Sequence, residues 1–244
     1  MSFLYGIQNR FIWVGQKRNG GIFKPVQCEI NKVDDKSIYK VFKTDNPQGK
    51  YYIFFHGNAD QIGRVGPSIG NEFTKRGHNL IAIEYPGYGL AEGNPSQKSV
   101  YETSEKVLQH LMKEIEPSNV ILMGHSIGCA TALEMSRRGY GSKLILISPF
   151  LSIEHMISVV SPILSSFLKK IPFLVRDKLN NMEVAPFITI PTTIFHGTID
   201  EIIPYEQGMA LSKLFRSGLG NFIEVEGARH NDILIKIMDD IIKV

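Results

Sequence analysis

Short apolar runs alternate with segments of helical periodicity along most of the chain. From position 50 onward the apolar runs contain few polar residues, which is typical of strands covered by helices on both faces. The two earlier runs alternate more between apolar and polar positions, and we predict an antiparallel start to the sheet there. The predicted strands are residues 22–30, 37–42, 50–55, 79–84, 119–123, 143–147, 192–195 and 221–225.

Segments with helical spacing of apolar residues lie between these strands. The predicted helices are residues 61–75, 100–115, 127–138, 205–215 and 233–242. Ser99 and Glu102 have the spacing of a capping box, so we predict that the second helix begins there. This order predicts an α/β protein with a mostly parallel eight-stranded sheet and helices on both faces. The 244 residues fit a single domain, 1–244, without an internal repeat or linker.

One segment, residues 150–190, interrupts this alternation. Large aliphatic residues and phenylalanines, Met156 among them, recur there at roughly helical spacing. The segment is short for a domain of its own, so we predict a cap insertion of one or two helices over a site at the sheet edge. Its apolar side chains either line a slot for an acyl chain, with Met156 in contact with the substrate, or rest on lipid in a peripheral membrane contact. A third interpretation is that they seal the cap onto the sheet.

A Gly-x-Ser-x-Gly pattern stands between the fifth predicted strand and the helix that follows it, with Ser126 at its centre. This arrangement is typical of a nucleophile elbow, the tight turn of the α/β-hydrolase fold. Gly124 and Gly128 suit the turn because a β-carbon at either position would collide with the neighbouring strand or helix. We predict that Ser126 is a catalytic nucleophile; the alternative is a structural turn with an incidental serine.

An acid and a histidine follow in the chain order that this fold requires. Asp200 comes just after the seventh predicted strand, and His230 just after the eighth. The carboxyl ends of parallel strands meet at one edge of a sheet, so these side chains can converge there with Ser126. We predict Asp200 as the acid and His230 as the base, with Asp232 and Asp177 as rivals of Asp200.

The loop after the third predicted strand and the residue after Ser126 have the positions of an oxyanion hole. We predict that the backbone N–H groups of Asn58 and Ile127 form it. Tyr85 and Tyr88 lie in the turn after the fourth strand and either line the substrate pocket or pack in the core. His56 and His196 are predicted to orient their loops by hydrogen bonds, and His125 to pack beside the nucleophile.

Composition and charge limit the partners and cofactors that we expect for this protein. The net charge is +3 and the basic residues are dispersed, so we predict no nucleic-acid binding. The two cysteines have no metal-ligand spacing. The chemistry predicted for Ser126 implies no metal or organic cofactor. No stretch approaches the roughly 18 apolar residues of a membrane span, and no signal peptide is indicated. We therefore expect a cytoplasmic protein, with the cap as a site of peripheral membrane contact.

Six short motifs occur together in matching order, and through them the chain resembles the Bem46-like α/β-hydrolases. The motifs are HGNA at 56–59, EYPGYG at 84–89, GHSIG at 124–128, SPF at 148–150, HGTID at 196–200 and HND at 230–232. The resemblance implies an α/β-hydrolase fold with Ser126, Asp200 and His230 as the triad. It also implies removal of palmitate from protein cysteines, the activity of one group in this family. That group is anchored through an N-terminal cysteine cluster that this sequence lacks, so the natural substrate is not carried over.

These residues predict a serine hydrolase that cleaves carboxylic esters or thioesters through an acyl-enzyme. Its substrate is a small molecule or an acylated partner. A peptidase or amidase can use the same triad, because amide hydrolysis needs the same groups. A non-catalytic binding protein that keeps the fold is a third hypothesis.

Overall fold

One β-sheet forms the centre of the protein. The computed structural model describes residues 12–14, 28–58, 60–63, 67–168 and 175–244. Within this part of the chain, eight strands are hydrogen-bonded in the order β1-β2-β4-β3-β5-β6-β7-β8. The strands are β1 (Cys28–Asp34), β2 (Ser37–Phe42), β3 (Tyr51–Phe55), β4 (Asn79–Ile83), β5 (Val120–His125), β6 (Lys143–Ile147), β7 (Thr192–Gly197) and β8 (Gly220–Val225).

The sheet begins antiparallel and continues parallel. Strand β2 pairs antiparallel with both β1 and β4, whereas the pairings from β4 through β3, β5, β6 and β7 to β8 are parallel. The predicted antiparallel start is therefore confirmed. Of the first predicted strand, residues 22–27 lie outside the described part of the chain. The carboxyl ends of β3, β5, β7 and β8 share one edge, because parallel strands run in the same direction.

Helices cover both faces, which confirms the predicted α/β-hydrolase fold. In β3, Ile53 and Phe55 belong to one hydrophobic cluster, while Tyr52 and Phe54 belong to another. Alternate residues of a strand point to opposite faces, so both faces of this strand are buried. The helices are α1 (Pro67–Lys75), α2 (Gln97–Leu111), α3 (Gly128–Arg137), α4 (Ile153–Val160), α5 (Pro162–Leu168), α6 (Asn181–Val184), α7 (Tyr205–Ser212), α8 (Ile233–Lys236) and α9 (Met238–Lys243).

Several predicted helix boundaries are wrong. The first helix, predicted from residue 61, begins at Pro67. Helix α2 begins one turn before the predicted capping box, because Ser96 is its N-cap and the Ser96 hydroxyl accepts a hydrogen bond from the Ser99 N–H. A serine without Glu or Gln three residues later therefore caps the helix, ahead of the capping-box pattern. The single helix predicted over 233–242 is divided at Ile237, whose φ of −99° and ψ of 8° depart from helical values.

Of the segment predicted to form a cap of one or two helices, the described residues contain three α-helices: α4, α5 and the single-turn α6. The Ser152 hydroxyl caps α4 by accepting a hydrogen bond from the His155 N–H. Met156 packs against the hydrophobic core. At the turn between α4 and α5, Val160 and Ile163 are 81% and 86% exposed. The apolar side chains of the cap are thus divided between the core and the surface. In the described residues, no helix is both long enough and apolar enough to cross a membrane.

Candidate active site

Ser126 lies in a tight turn between β5 and α3. Its φ is +54°, in the left-handed region, and its N–H donates to the Ile147 carbonyl of β6 at 2.9 Å. A β-carbon at Gly124 would lie 2.7 Å from the Cys129 backbone nitrogen, and one at Gly128 would lie 2.1 Å from the Phe55 carbonyl oxygen. Contacts this short exclude any side chain at the two flanking positions. The turn has the geometry expected of a nucleophile elbow.

Asp200 and His230 meet at the carboxyl ends of β7 and β8. Nδ1 of His230 lies 2.8 Å from Oδ2 and 3.0 Å from Oδ1 of Asp200. Oδ1 also accepts the backbone N–H groups of Ile202 and Ile203 at 3.0 and 2.8 Å. Both side chains are buried. A carboxylate accepts hydrogen bonds only, so the shared proton belongs to Nδ1 of His230 and Nε2 is left as the basic nitrogen.

A second histidine contacts the same carboxylate. Nε2 of His196 lies 3.4 Å from Oδ2 of Asp200 and 3.0 Å from the Ile203 carbonyl oxygen. The carbonyl is an acceptor, so Nε2 carries a proton. Burial alone would raise the pKa of Asp200, but hydrogen bonds from His196 and His230 outweigh it and hold that pKa well below its usual range. Asp200 therefore remains ionised at neutral pH. His196 has the loop-orienting contacts that the sequence predicted.

The two rival acids lie elsewhere in the structure. Oδ2 of Asp177 accepts the Trp13 indole N–H at 2.7 Å. Oδ1 of Asp232 accepts the Arg229 N–H at 2.8 Å, immediately before α8. The carboxylate that the structure brings to Nδ1 of the histidine at position 230 is thus that of Asp200.

His125 lies between the elbow and the loop that carries His230. Its Nε2 is 3.0 Å from the His230 carbonyl oxygen, and the centres of the two rings are 5.0 Å apart. Burial, with a smaller effect from His230, lowers the pKa of His125 to about 3. The ring is therefore neutral, and Nε2 donates its proton to the carbonyl. A β-carbon at Gly57 would lie 3.0 Å from Nδ1 of the same ring. His125 thus packs between two loops of the site.

The tyrosines considered for the substrate pocket pack behind the loop after β3. Tyr85 and Tyr88 are almost fully buried. The Tyr85 hydroxyl donates to the His56 carbonyl at 2.8 Å, and the Tyr88 hydroxyl donates to Oδ1 of Asn58 at 2.9 Å. Both contacts correspond to the packing interpretation. The two side chains hold the loop on which the predicted oxyanion donor lies.

The same loop is bound to a buried glutamate that the sequence analysis did not select. Nδ1 of His56 donates to the Gly57 carbonyl at 2.9 Å, and Nε2 lies 3.0 Å from Oε1 of Glu84. Oε2 of Glu84 accepts the Ile62 N–H at 3.2 Å. Burial would lower the pKa of His56, but the hydrogen bond to Glu84 and its charge raise it overall. A carboxylate directly after a largely apolar strand was the available signal, because a buried charge requires a partner.

Two further polar contacts escaped the sequence analysis. The Glu201 carboxylate accepts the His230 N–H at 3.3 Å, which helps to fix the loop of the predicted base. Gln207 donates from Nε2 to the sulfur of Met156 at 3.3 Å, and its Oε1 accepts the Leu151 N–H. Met156 is therefore tied to α7 and is partly buried. Within the described residues, no group of three or more His, Cys, Asp or Glu side chains is arranged to hold a metal ion.

The chain is similar to known hydrolases in sequence and in fold. Residues 46–186 match the sequence model of the family described as serine aminopeptidase, S33. Human α/β-hydrolase domain-containing protein 17B is 30% identical over 212 residues, which cover 85% of this chain and 70% of that protein. An α/β-hydrolase from Vibrio vulnificus superposes with a TM-score of 0.75 at 22% identity, covering 98% of this chain and 90% of that one.

A monoacylglycerol lipase from Paleococcus ferrophilus superposes with a TM-score of 0.61 at 18% identity, covering 88% of this chain and 97% of that one. At these low identities the solved structures support the fold alone, whereas the sequence matches establish the family. The chain belongs to the α/β-hydrolase family, as the six sequence motifs predicted, and it is related to the domain-containing proteins 17.

The buried contact between Glu84 and His56 is expected to stabilise the folded protein. Glu84→Gln is expected to lower the free energy of unfolding by about 1.5–3 kcal/mol, the range for hydrogen bonds to charged groups. The raised pKa of His56 means that its contribution is full below the ordinary histidine pKa, about 6.5, and is lost as the pH rises through the raised value. Urea unfolding should therefore show a gap between parent and variant that is largest near pH 6 and shrinks toward pH 9.

The matched control is Glu102→Gln, because the Glu102 side chain is 62% exposed and its ion pair is with the exposed Lys98. That variant should unfold like the parent at every pH, since exposed ion pairs contribute little. A gap for Glu84→Gln that is absent, or that does not change with pH, would contradict the assignment of a protonated His56.

Proposed function

We propose that this protein is a serine hydrolase that cleaves carboxylic esters or thioesters through Ser126, Asp200 and His230. The observation that carries the proposal is the hydrogen bond from Nδ1 of His230 to the buried Asp200 carboxylate, 2.8 Å long, on loops beside a strained serine. A serine alone is a weak nucleophile at neutral pH. It becomes reactive when an oriented base accepts its proton.

The chemical steps follow from these contacts. Nε2 of His230 removes the Ser126 proton as the hydroxyl oxygen attacks the acyl carbon, and the tetrahedral oxyanion is stabilised by the backbone N–H groups of Asn58 and Ile127. His230 then gives the proton to the departing alcohol or thiol, which leaves an acyl-enzyme. Water, deprotonated by the same imidazole, attacks the acyl-enzyme. His230 then returns the proton to the Ser126 oxygen as the acid is released.

Asp200 has an electrostatic role in this sequence of steps. Its lowered pKa keeps the carboxylate charged while His230 becomes an imidazolium, so the two charges attract each other in the transition state. The hydrogen bonds from Ile202 and Ile203 fix the carboxylate in place before the reaction begins. Little reorganisation is then needed as charge develops.

The apolar surface of the cap favours substrates that carry an acyl chain. Val159, Val160 and Ile163 are exposed at the turn between α4 and α5, where an acyl chain or a lipid surface can cover them. Each buried methylene contributes about 0.8 kcal/mol. Binding energy of this size raises kcat/KM with chain length if it is retained in the transition state.

A second candidate is hydrolysis of amides or peptides on the same triad. The observation that favours it is the description of the matching family as a serine aminopeptidase. The groups that attack and protonate are identical for an amide, so the distinction depends on the pocket around the acyl and leaving groups.

The direct test is hydrolysis of a substrate panel. It contains p-nitrophenyl esters from acetate to palmitate below their micelle-forming concentrations, a palmitoyl-cysteine peptide and an aminoacyl p-nitroanilide. We expect kcat/KM to rise from acetate toward medium and long chains, and esters or thioesters to exceed the anilide. A steep preference for acetate would exclude long-chain substrates, and a faster anilide would identify a peptidase.

Ser126→Ala should lower turnover of every accepted substrate by about 10³-fold or more, as removal of a triad nucleophile does elsewhere. Ser148→Ala is the matched control. Ser148 is also buried, also has a positive φ of 48°, and its hydroxyl has no hydrogen-bond partner among the described residues. The control should hydrolyse the panel at the parental rate. An active Ser126→Ala variant would mean that another residue attacks the substrate.

Asp200→Asn should leave the protein folded but lower kcat on the order of 10⁴-fold, because asparagine donates to Nδ1 and favours the wrong tautomer of His230. Asp232→Asn is the comparison, since Asp232 accepts only a local backbone N–H and a surface lysine among its described contacts. Its turnover should match that of the parent. The opposite pattern, with activity kept in the first variant and lost in the second, would transfer the acid role to Asp232.

A further inference from the structure

We propose that residues 12–14 form a strap that positions the oxyanion loop, and that Trp13 is a positioning residue for hydrolysis. Oxyanion loop here means residues 56–58. The inference rests on the proposed function, in which the Asn58 N–H stabilises the oxyanion. It assigns a task to a segment about 44 residues away in sequence from the loop it contacts.

The strap binds both ends of the Asn58 side-chain amide. Nδ2 of Asn58 donates to the Ile12 carbonyl at 2.8 Å, and Oδ1 accepts the Val14 N–H at 3.0 Å. The strap thus offers one backbone acceptor and one backbone donor. The side-chain amide pairs with them in the way that a peptide group pairs with a neighbouring β-strand. The Tyr88 hydroxyl contacts the same Oδ1 from the other side. Asn58 is thereby fixed between the core and the strap.

Trp13 anchors the strap at a second point. Its indole N–H donates to Oδ2 of Asp177 at 2.7 Å, and both side chains are buried. Its ring meets the Tyr85 ring edge to face, with centres 6.3 Å apart. Tyr85 in turn donates to the His56 carbonyl at the start of the oxyanion loop. The tryptophan thus contacts a side chain that already supports the loop from inside.

The anchor point is itself held by the protein. Next to Asp177, the Lys178 carbonyl accepts the N–H of Ile153, the first residue of α4, at 3.0 Å. The Leu179 N–H donates to Oε1 of Gln97, the first residue of α2, at 3.0 Å. The strap therefore links the oxyanion loop to a segment tied to two helices.

Fixing this loop matters because oxyanion donors act over a narrow range of distance. The donor has to lie about 2.7–3.1 Å from the developing oxyanion, and a displacement of an ångström removes much of the stabilisation. The loss falls on the transition state, so kcat decreases while KM changes little. Trp13 is also the single tryptophan of the chain, so its fluorescence reports directly on the strap.

The test compares Trp13→Phe, Asn58→Ala and Asp177→Asn with the parent. The rate of p-nitrophenyl ester hydrolysis is measured for each variant. Titration with a fluorophosphonate gives the concentration of competent active sites, and kcat is expressed per titrated site. Trp13→Phe keeps an aromatic ring at this position but loses the N–H. Asn58→Ala keeps the backbone donor but loses both ties to the strap, together with the hydrogen bond from Tyr88. Each should lower kcat per titrated site about tenfold, with KM within about twofold of the parent.

Asp177→Asn is the conservative variant, because its side-chain oxygen still accepts the indole N–H. It should retain parental kcat per site, and its Trp13 fluorescence should remain as protected from acrylamide quenching as in the parent. Trp13 should also stay protected in Asn58→Ala, because the anchor at Asp177 is intact. The two measurements therefore distinguish the hydrogen bonds between the strap and Asn58 from the hydrogen bond between Trp13 and Asp177.

Parental kcat per site in both Trp13→Phe and Asn58→Ala would overturn the proposal. A lower count of competent sites with an unchanged rate per site would also overturn it, because the strap would then stabilise the fold alone. If Trp13→Phe does not fold, Asn58→Ala decides by the same criterion. A parent protein that neither reacts with the fluorophosphonate nor hydrolyses the ester would refute the proposed function itself, and the strap's catalytic role with it.

Discussion

The close approach of the backbone of β3 to the turn after β5 is the constraint on which the site depends. A β-carbon at Gly128 would lie 2.1 Å from the Phe55 carbonyl, so the two backbones touch with no side chain between them. The oxyanion loop begins directly after Phe55, and Ser126 directly precedes the first turn of α3. Their separation is therefore set by backbone contact, which deforms less readily than contact through flexible side chains.

Structural histidines connect the remaining loops. His125 donates to the carbonyl of residue 230, and His196 reaches both Asp200 and the Ile203 carbonyl. His56 donates to the Gly57 carbonyl within the oxyanion loop. Each imidazole is buried and hydrogen-bonded to a loop that carries a proposed catalytic group. Such a network orients the groups before substrate arrives, and preorganised dipoles are the largest electrostatic contribution to many enzymatic reactions.

The parts of this site that follow local rules could be predicted from the sequence. Continuous apolar runs predicted the buried strands, and the rule that parallel strands end at one edge predicted the meeting of Asp200 and His230. The contacts of Glu84 and Trp13 were not predicted. Their partners lie 28 and 164 residues away, and periodicity contains no information about contacts at that separation. The start of α2 was misjudged because the capping-box spacing of Ser99 and Glu102 favoured the later serine, whereas Ser96 caps the helix without Glu or Gln three residues after it.

The proposed mechanism depends above all on Ser126 being the nucleophile. The most direct measurement is peptide mass spectrometry of the protein after inactivation by a fluorophosphonate, with the adduct located by fragmentation. Trypsin releases residues 114–137 as one peptide, which contains Ser126 together with two other serines at 118 and 136. We expect one adduct per chain, on Ser126. An adduct on another residue, or inactivation without an adduct in this peptide, would contradict it.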